Sequence, residues 1–311
     1  MTRLRLIFAG TPAFARPSLA ALWQAGHEIL LVVTQPDRPR GRGRRLAPPD
    51  VKIAADALAL PVLQPERIDN PETERLITGL APDAVIVVAF GQKIPPWLLN
   101  LPRLGCLNVH ASLLPKYRGA SPIQRALMAG ETRTGVCVMR LDEGWDTGPV
   151  YTRRVMAIGP DENAGELQDR LAEAGAGLLV ETLAAITETG LTPVPQDGAQ
   201  ATTAPKLRPE EARLSWREAA QRLHNLVRAL APVPLAETFH AGRRLQIART
   251  AAEASDAKAP PGTVLEIGRG ILVRCGDGAL RLLLVKPEGG RLMPAEAYAR
   301  GRRLLPGVRL G

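Results

Sequence analysis

Four short apolar runs constrain this chain most: "LRLIFAG" from Leu4, "EILLVVT" from Glu28, "DAVIVVAFG" from Asp83 and "GCLNVH" ending at His110. Runs this short, rich in β-branched residues and lacking polar alternation, read as strands buried on both faces. Between them lie stretches with helical spacing, near 17–25, 51–60 and 71–80, the first closed by Gly26. Strands alternating with helices need crossover connections, so the sheet is expected to be parallel and covered on both sides. After His110, "SPIQRALMAG" reads as a helix with Pro122 in its first turn and Gly130 at its stop. Two further strands, "TGVCVMRLD" and "GPVYTRRVMAI", flank "EGWDTG", and Asn163 with Glu166 forms a capping box for a long helix ending at Gly190.

A length of 311 residues exceeds most single cores and fits two domains. The stretch "LTPVPQDGAQATTAPKLRP" carries four prolines and no clear periodicity, which reads as a linker over 191–208 between a first domain, 1–190, and a second, 209–311. In the second domain, Ser215 and Glu218 suggest another capping box opening a helix to about Leu230. Short strands then follow at close spacing, "RLQIART", "GTVLEIG", "GILVRCG" and "ALRLLLVKP", the pattern of a small barrel.

Composition narrows the function classes. No apolar run approaches the roughly 18 to 20 residues of a membrane span, and "LIFAG" is too short for a secretory core, so an untargeted, cytoplasmic protein is expected. Cys106, Cys137 and Cys275 are scattered, odd in number and lack metal-ligand spacing, which indicates neither a disulfide framework nor zinc. Residues 209–311 hold 17 Lys and Arg against 10 Asp and Glu, a net +7 of the chain's +9. A polyanionic partner is expected there, although the predominance of Arg over Lys can also reflect compositional bias.

The polar residues at one strand end carry the chemistry. Side chains alternate along a strand, so Asn108 and His110 share a face while Leu107 and Val109 take the other. In an open α/β sheet the reactive crevice lies beyond the carboxyl ends of the strands, which is where this pair falls. Asp146, between glycines in "DEGWDTGP", is the third candidate, placed to orient His110 and stabilise its cationic form. Each residue alone also has a bland reading, as a bonded core group or a turn; it is the set that indicates a site. The first glycine turn, "AGTPAF", lacks the dinucleotide fingerprint and has Pro12 where a backbone donor would be needed, and no phosphate-binding P-loop occurs. Finally, "QPDRPRGRGRRLAPP" holds five arginines, Arg38, Arg40, Arg42, Arg44 and Arg45, just past a strand's carboxyl end. Such a run is either a solvated loop or a phosphate-seeking arm.

Together "FAGTPAFA", "TQPDRPRGRGRRLAPPDVK", "LPVLQPERI", "NVHASLLPKYRGASPIQRAL", "GVCVMRLDEGWDTGPV" and "AAQRLHNLVRAL" resemble the methionyl-tRNA formyltransferase family over essentially the whole chain. The resemblance implies a Rossmann-like parallel-sheet formyltransferase domain with a C-terminal OB-like β-barrel. It implies catalysis by Asn108, His110 and Asp146, with 10-formyltetrahydrofolate as donor, held near Ser112, Leu113, Leu114 and Pro115, and no metal. It further implies charged initiator tRNA as acceptor, gripped by the arginine loop, and a monomer is expected. Trp145 and the segment "RALAPVPLAETFHAG" depart from the family pattern, which bears on tRNA contacts rather than on the chemistry. Rival readings are a formyltetrahydrofolate hydrolase, a formyltransferase for a small amine such as a ribonucleotide or amino sugar, and a non-enzymatic RNA-binding module; the last leaves the three polar residues unexplained.

Overall fold

A computed structural model describes residues 2–40, 43 and 45–311. Its strands are β1 (Arg5–Gly10), β2 (Glu28–Val33), β3 (Arg38–Arg40), β4 (Arg45–Ala47), β5 (Val62–Leu63), β6 (Ala84–Val88), β7 (Cys106–His110), β8 (Arg133–Arg140), β9 (Val150–Ala157), β10 (Ala236–His240), β11 (Arg243–Glu253), β12 (Val264–Gly268), β13 (Gly270–Arg274), β14 (Ala279–Pro287) and β15 (Met293–Pro294). The helices are α1 (Arg16–Gln24), α2 (Asp50–Ala57), α3 (Pro71–Leu80), α4 (Pro96–Asn100), α5 (Pro122–Met128), α6 (Ala164–Thr189), α7 (Ala220–Leu230) and α8 (Ala295–Arg302). They gather into two compact units. One comprises 1–119, 134–156 and 168–203, the other 120–133, 157–167 and 204–311.

The first unit is built on a seven-stranded sheet in the order β5-β2-β1-β6-β7-β8-β9. The strands from β5 to β7 pair in parallel, as their β-branched runs and intervening helices require. β8 then joins β7 antiparallel, so the expected parallel sheet carries a differently directed extension beside the last parallel strand. The core cluster of Ile7, Ala9, Val33, Val85, Val87, Leu98 and Cys106 fixes register, because a one-residue slip would turn these side chains to the opposite face. The capping box of α6 is present: Glu166 N donates to Asn163 Oδ1 at 3.1 Å and Asn163 N to Glu166 Oε2 at 3.0 Å.

The second unit holds an antiparallel sheet in the order β10-β11-β14-β13-β12, with β15 on β14. The last residues bridge its two edges: Val264 N bonds Val308 O and Leu310 N bonds Gly262 O beside β12, while Gly311 N bonds Phe239 O of β10. Leu223, Val227, Ile247, Val273, Leu282 and Tyr298 fill the core within, and Met128 of α5 packs against it. The expected Ser215–Glu218 capping box is absent. Glu218 N donates instead to Ser215 O in a turn, and α7 begins only at Ala220. The 275–278 turn takes over the capping role, since Gly276 N bonds Glu218 O and Ala220 N bonds Asp277 O.

Candidate active site

β7 places Asn108 and His110 on one face at its carboxyl end, 9% and 6% exposed. Asn108 lies between Val87 of β6 and Met139 of β8, and His110 stands opposite Cys137 of β8. Among the described residues no hydrogen bond occupies the Asn108 carboxamide, which leaves its two N–H donors for a ligand. His110 Nε2 lies 3.0 Å from the carbonyl oxygen of Tyr117. A carbonyl only accepts, so Nε2 carries a proton. His110 Nδ1 is 3.6 Å from Asp146 Oδ1, an ion-pair distance rather than a hydrogen bond.

Asp146 reaches this position because its loop is folded tightly. It has a left-handed backbone, φ +55°, and its Oδ2 accepts from Gly119 N at 2.8 Å. Asp142 ties the loop internally, accepting from Gly144 N at 3.1 Å and from the Thr147 hydroxyl at 2.7 Å. At Gly148 any Cβ would collide with the Arg140 carbonyl, so only glycine lets the loop return to β8. Trp145, next to Asp146, is 70% exposed.

The neighbouring thiol is not a nucleophile. Burial pushes Cys137 up to about 11, and its Sγ is bonded to Ser112 O at 3.0 Å, so it is neutral near pH 7. A cavity of about 530 Å³ in the second unit offers a rival location, lined by His224, Arg228 and Thr250. Its buried polar groups already serve one another: His224 Nδ1 is 3.1 Å from Thr250 Oγ1, and Arg228 Nη1 donates to Gly159 O at 3.1 Å. Among the described residues no cluster of His, Cys, Asp or Glu is arranged to hold a metal ion.

Of the residues expected to hold folate, Leu113 and Pro115 are half-buried beside His110 in sequence. Ser112 is fully buried, its hydroxyl donated to Lys116 O at 2.7 Å, and Leu114 is built into a cluster with Cys137, Met139 and Val150. Within the described residues of the arginine-rich segment, β3 and β4 form an antiparallel ribbon pairing Arg38 with Ala47 and Arg40 with Arg45. Arg38 bonds Glu66 at 3.0 Å and Arg45 is exposed; Arg42 and Arg44 lie outside the described residues. Asp37 anchors the ribbon's base through Lys52 at 3.0 Å and Gln64 at 2.7 Å.

The proline-rich stretch supplies what the sequence did not signal. Val194 and Val150 exchange backbone hydrogen bonds, both 2.8 Å. Gln196 Nε2 donates to Asp146 O at 2.9 Å and to Gly148 O at 2.7 Å, while its Oε1 accepts from Arg118 Nε and Nη2. Thr202 Oγ1 accepts from Tyr117 N at 2.9 Å. A lone Gln or Thr between prolines has no pattern from which this could be read.

The pattern described as formyl transferase matches residues 3–183, and that described as formyl transferase, C-terminal domain, matches residues 206–303. A methionyl-tRNA formyltransferase of Solibacter usitatus is 49% identical over 99% of both chains. The chain belongs to the methionyl-tRNA formyltransferase family. Another relative of that name, from Halorhodospira halophila, is 50% identical over 97% of this chain and 98% of its own. Among solved structures, HypX from Aquifex aeolicus in complex with tetrahydrofolic acid shares the fold, with a TM-score of 0.66 at 18% identity. It covers 96% of this chain, which spans 47%, about half, of HypX. The two matched regions meet the sequence expectation of a Rossmann-like parallel-sheet formyltransferase domain followed by a C-terminal β domain, whose sheet is antiparallel.

Proposed function

We propose that this enzyme transfers the formyl group of 10-formyltetrahydrofolate to the amino group of methionyl initiator tRNA. The carrying observation is full-length likeness at 49% identity to a chain of that name, in a protein whose Asn108, His110 and Asp146 meet at one strand end. The donor set suits the reaction. The attacking amine forms a C–N bond to the formyl carbon, and charge gathers on the formyl oxygen. The carboxamide N–H groups of Asn108, unclaimed among the described residues, are donors for that oxyanion. His110 in its cationic form delivers its Nε2 proton, held on the Tyr117 carbonyl until then, to the departing folate nitrogen as the C–N bond to it breaks, and the proton that the amine sheds on becoming an amide restores the imidazolium. Asp146 keeps the ring oriented and balances its charge.

Leu113 and Pro115 present the apolar wall for the flat folate, with Ser112 and Leu114 bracing them. Arg38, Arg40, Arg42, Arg44 and Arg45 grip the acceptor stem, and the basic residues of 209–311 hold the tRNA farther along its body; the protein works as a monomer in the cytoplasm. Initial-rate assays with charged initiator tRNA, charged elongator tRNA and small amines test this reading. Efficient formylation of initiator tRNA alone supports it; preferential formylation of a small amine sinks it.

A further inference from the structure

We infer that residues 194–202 form a catalytic strap, with Gln196 and Thr202 as positioning residues that set His110 by holding both of its partners. Two non-glycine residues flank the imidazole in the left-handed backbone region: Tyr117 at φ +60°, whose carbonyl faces Nε2, and Asp146 at φ +55°, whose carboxylate faces Nδ1. L-residues adopt this region rarely and stay there only when their surroundings over-determine them. The strap supplies the surroundings on both sides. Thr202 holds Tyr117 through the backbone N–H, at 2.9 Å, and its carbonyl accepts from Arg118 N, also at 2.9 Å. Gln196 holds Asp146 through the backbone carbonyl and closes the same turn at Gly148 O. One segment thus fixes the direction of the group that faces each ring nitrogen. Arg118 completes the tie, because its guanidinium binds Gln196 Oε1 at 2.9 and 3.1 Å and leaves the carboxamide only one orientation. The Val194–Val150 bridge fixes the strap's start.

The inference rests on the proposed function for its kinetic test. In Gln196→Glu the acceptor for Arg118 is kept and both N–H donors to the Asp146 turn are lost; Thr202→Val keeps shape and loses the acceptor for Tyr117. Misplacement of a reacting group by about 1 Å can cost ~10²-fold, so each variant should lose roughly 10- to 100-fold in kcat. KM for both substrates should stay within about threefold, because neither residue is assigned to a substrate. Thr202→Ser, which restores the oxygen, should recover the rate. In a His110→Ala background Gln196→Glu should add almost nothing, since its effect passes through the imidazole. The resting enzyme gives a second readout: the His110 ring ¹⁵N signals should move in Gln196→Glu. Wild-type kcat in folded Gln196→Glu, or an undiminished loss in the His110→Ala background, would overturn the proposal. If wild-type protein formylates no tRNA, the functional reading falls on its own. The ring signals then decide the strap, and unmoved signals refute it.

Discussion

Adding one methyl group at Gly148 is the sharpest probe of the site's geometry. A Cβ there would fall inside contact distance of the Arg140 carbonyl oxygen and 3.3 Å from Asp142 N, whereas ordinary contact begins at 3.4 Å. The turn carrying Asp146 has to move by on the order of 1 Å to admit it, a misplacement that can cost ~10²-fold in rate. Two consequences follow from the distances. Asp146 Oδ1 starts 3.6 Å from His110 Nδ1, and at about 4.6 Å the attraction at an effective dielectric near 20 is weaker by ~1 kcal/mol, about fivefold in rate. The Gln196 bonds at 2.7 and 2.9 Å lengthen past useful range, and loss of orientation supplies the remaining factor. Gly148→Ala should therefore lower kcat about 100-fold and melt earlier by the ~1–3 kcal/mol typical of overpacking. Initial-rate formylation and a thermal melt measure both. Gly79→Ala in α3, where an added Cβ meets nothing within 4 Å, is the control. A folded Gly148→Ala enzyme within about threefold of wild-type kcat refutes the reasoning.

Asn108→Ala, His110→Ala and Asp146→Ala should each lower turnover by ~10²- to 10⁴-fold, and their losses should not multiply because the groups act as a unit; near-normal turnover in a purified, folded single variant removes that residue from the mechanism. Glu211→Gln tests a stability link. Arg125, bonded to the carboxylate at 2.6 and 3.0 Å, and the Arg208 backbone N–H hold Glu211 at about 2, below the ordinary 4.5. A depressed carboxylate stabilises the fold fully above its unfolded value and loses that contribution as pH falls from about 4.5 to about 2. The full shift corresponds to ~3.4 kcal/mol, and with the side chain 23% exposed solvent screening reduces it to about 1–2. Denaturant titrations should show Glu211→Gln less stable at pH 7 and its deficit vanishing near pH 2; an unchanged gap across that range refutes the link. Arg45→Ala should raise the tRNA KM and reduce the log-log salt slope of tRNA binding by about 0.7 to 0.9 while sparing folate binding; an unchanged slope in a filter-binding titration excludes Arg45 from phosphate contact.

The fold and the placement of Asn108 and His110 were readable because they rest on period. Alternation puts the two on one face, and buried β-branched runs impose the parallel order that sets them at a carboxyl end. The antiparallel pairing of β8 is set by how the chain returns after α5, which no local residue encodes. At Ser215 and Glu218 local capping chemistry was outbid by tertiary bonds from the 275–278 turn. Gln196 and Thr202 were illegible for a related reason: their partners are 48 to 85 residues away, and neither residue type implies a distant backbone group. Proline content pointed to a linker; it carried no information on whether the stretch was anchored, as it is through the Val194–Val150 bridge and the Gln196 and Thr202 bonds.

The strap also limits how such a chain can be reshuffled in evolution. A crossover in the proline-rich stretch looks harmless, since no α-helix or β-strand of the described residues lies between Thr189 and α7. A hybrid joined at 190 would nevertheless inherit β7 and its histidine without the residues that hold Tyr117 and Asp146. Joining after 203 keeps those residues but separates 120–133 and 157–167 from the 204–311 segment with which they gather. Neither junction yields an interchangeable module, so lineages acquiring a new acceptor are expected to have altered the existing C-terminal segment in place rather than exchanged it.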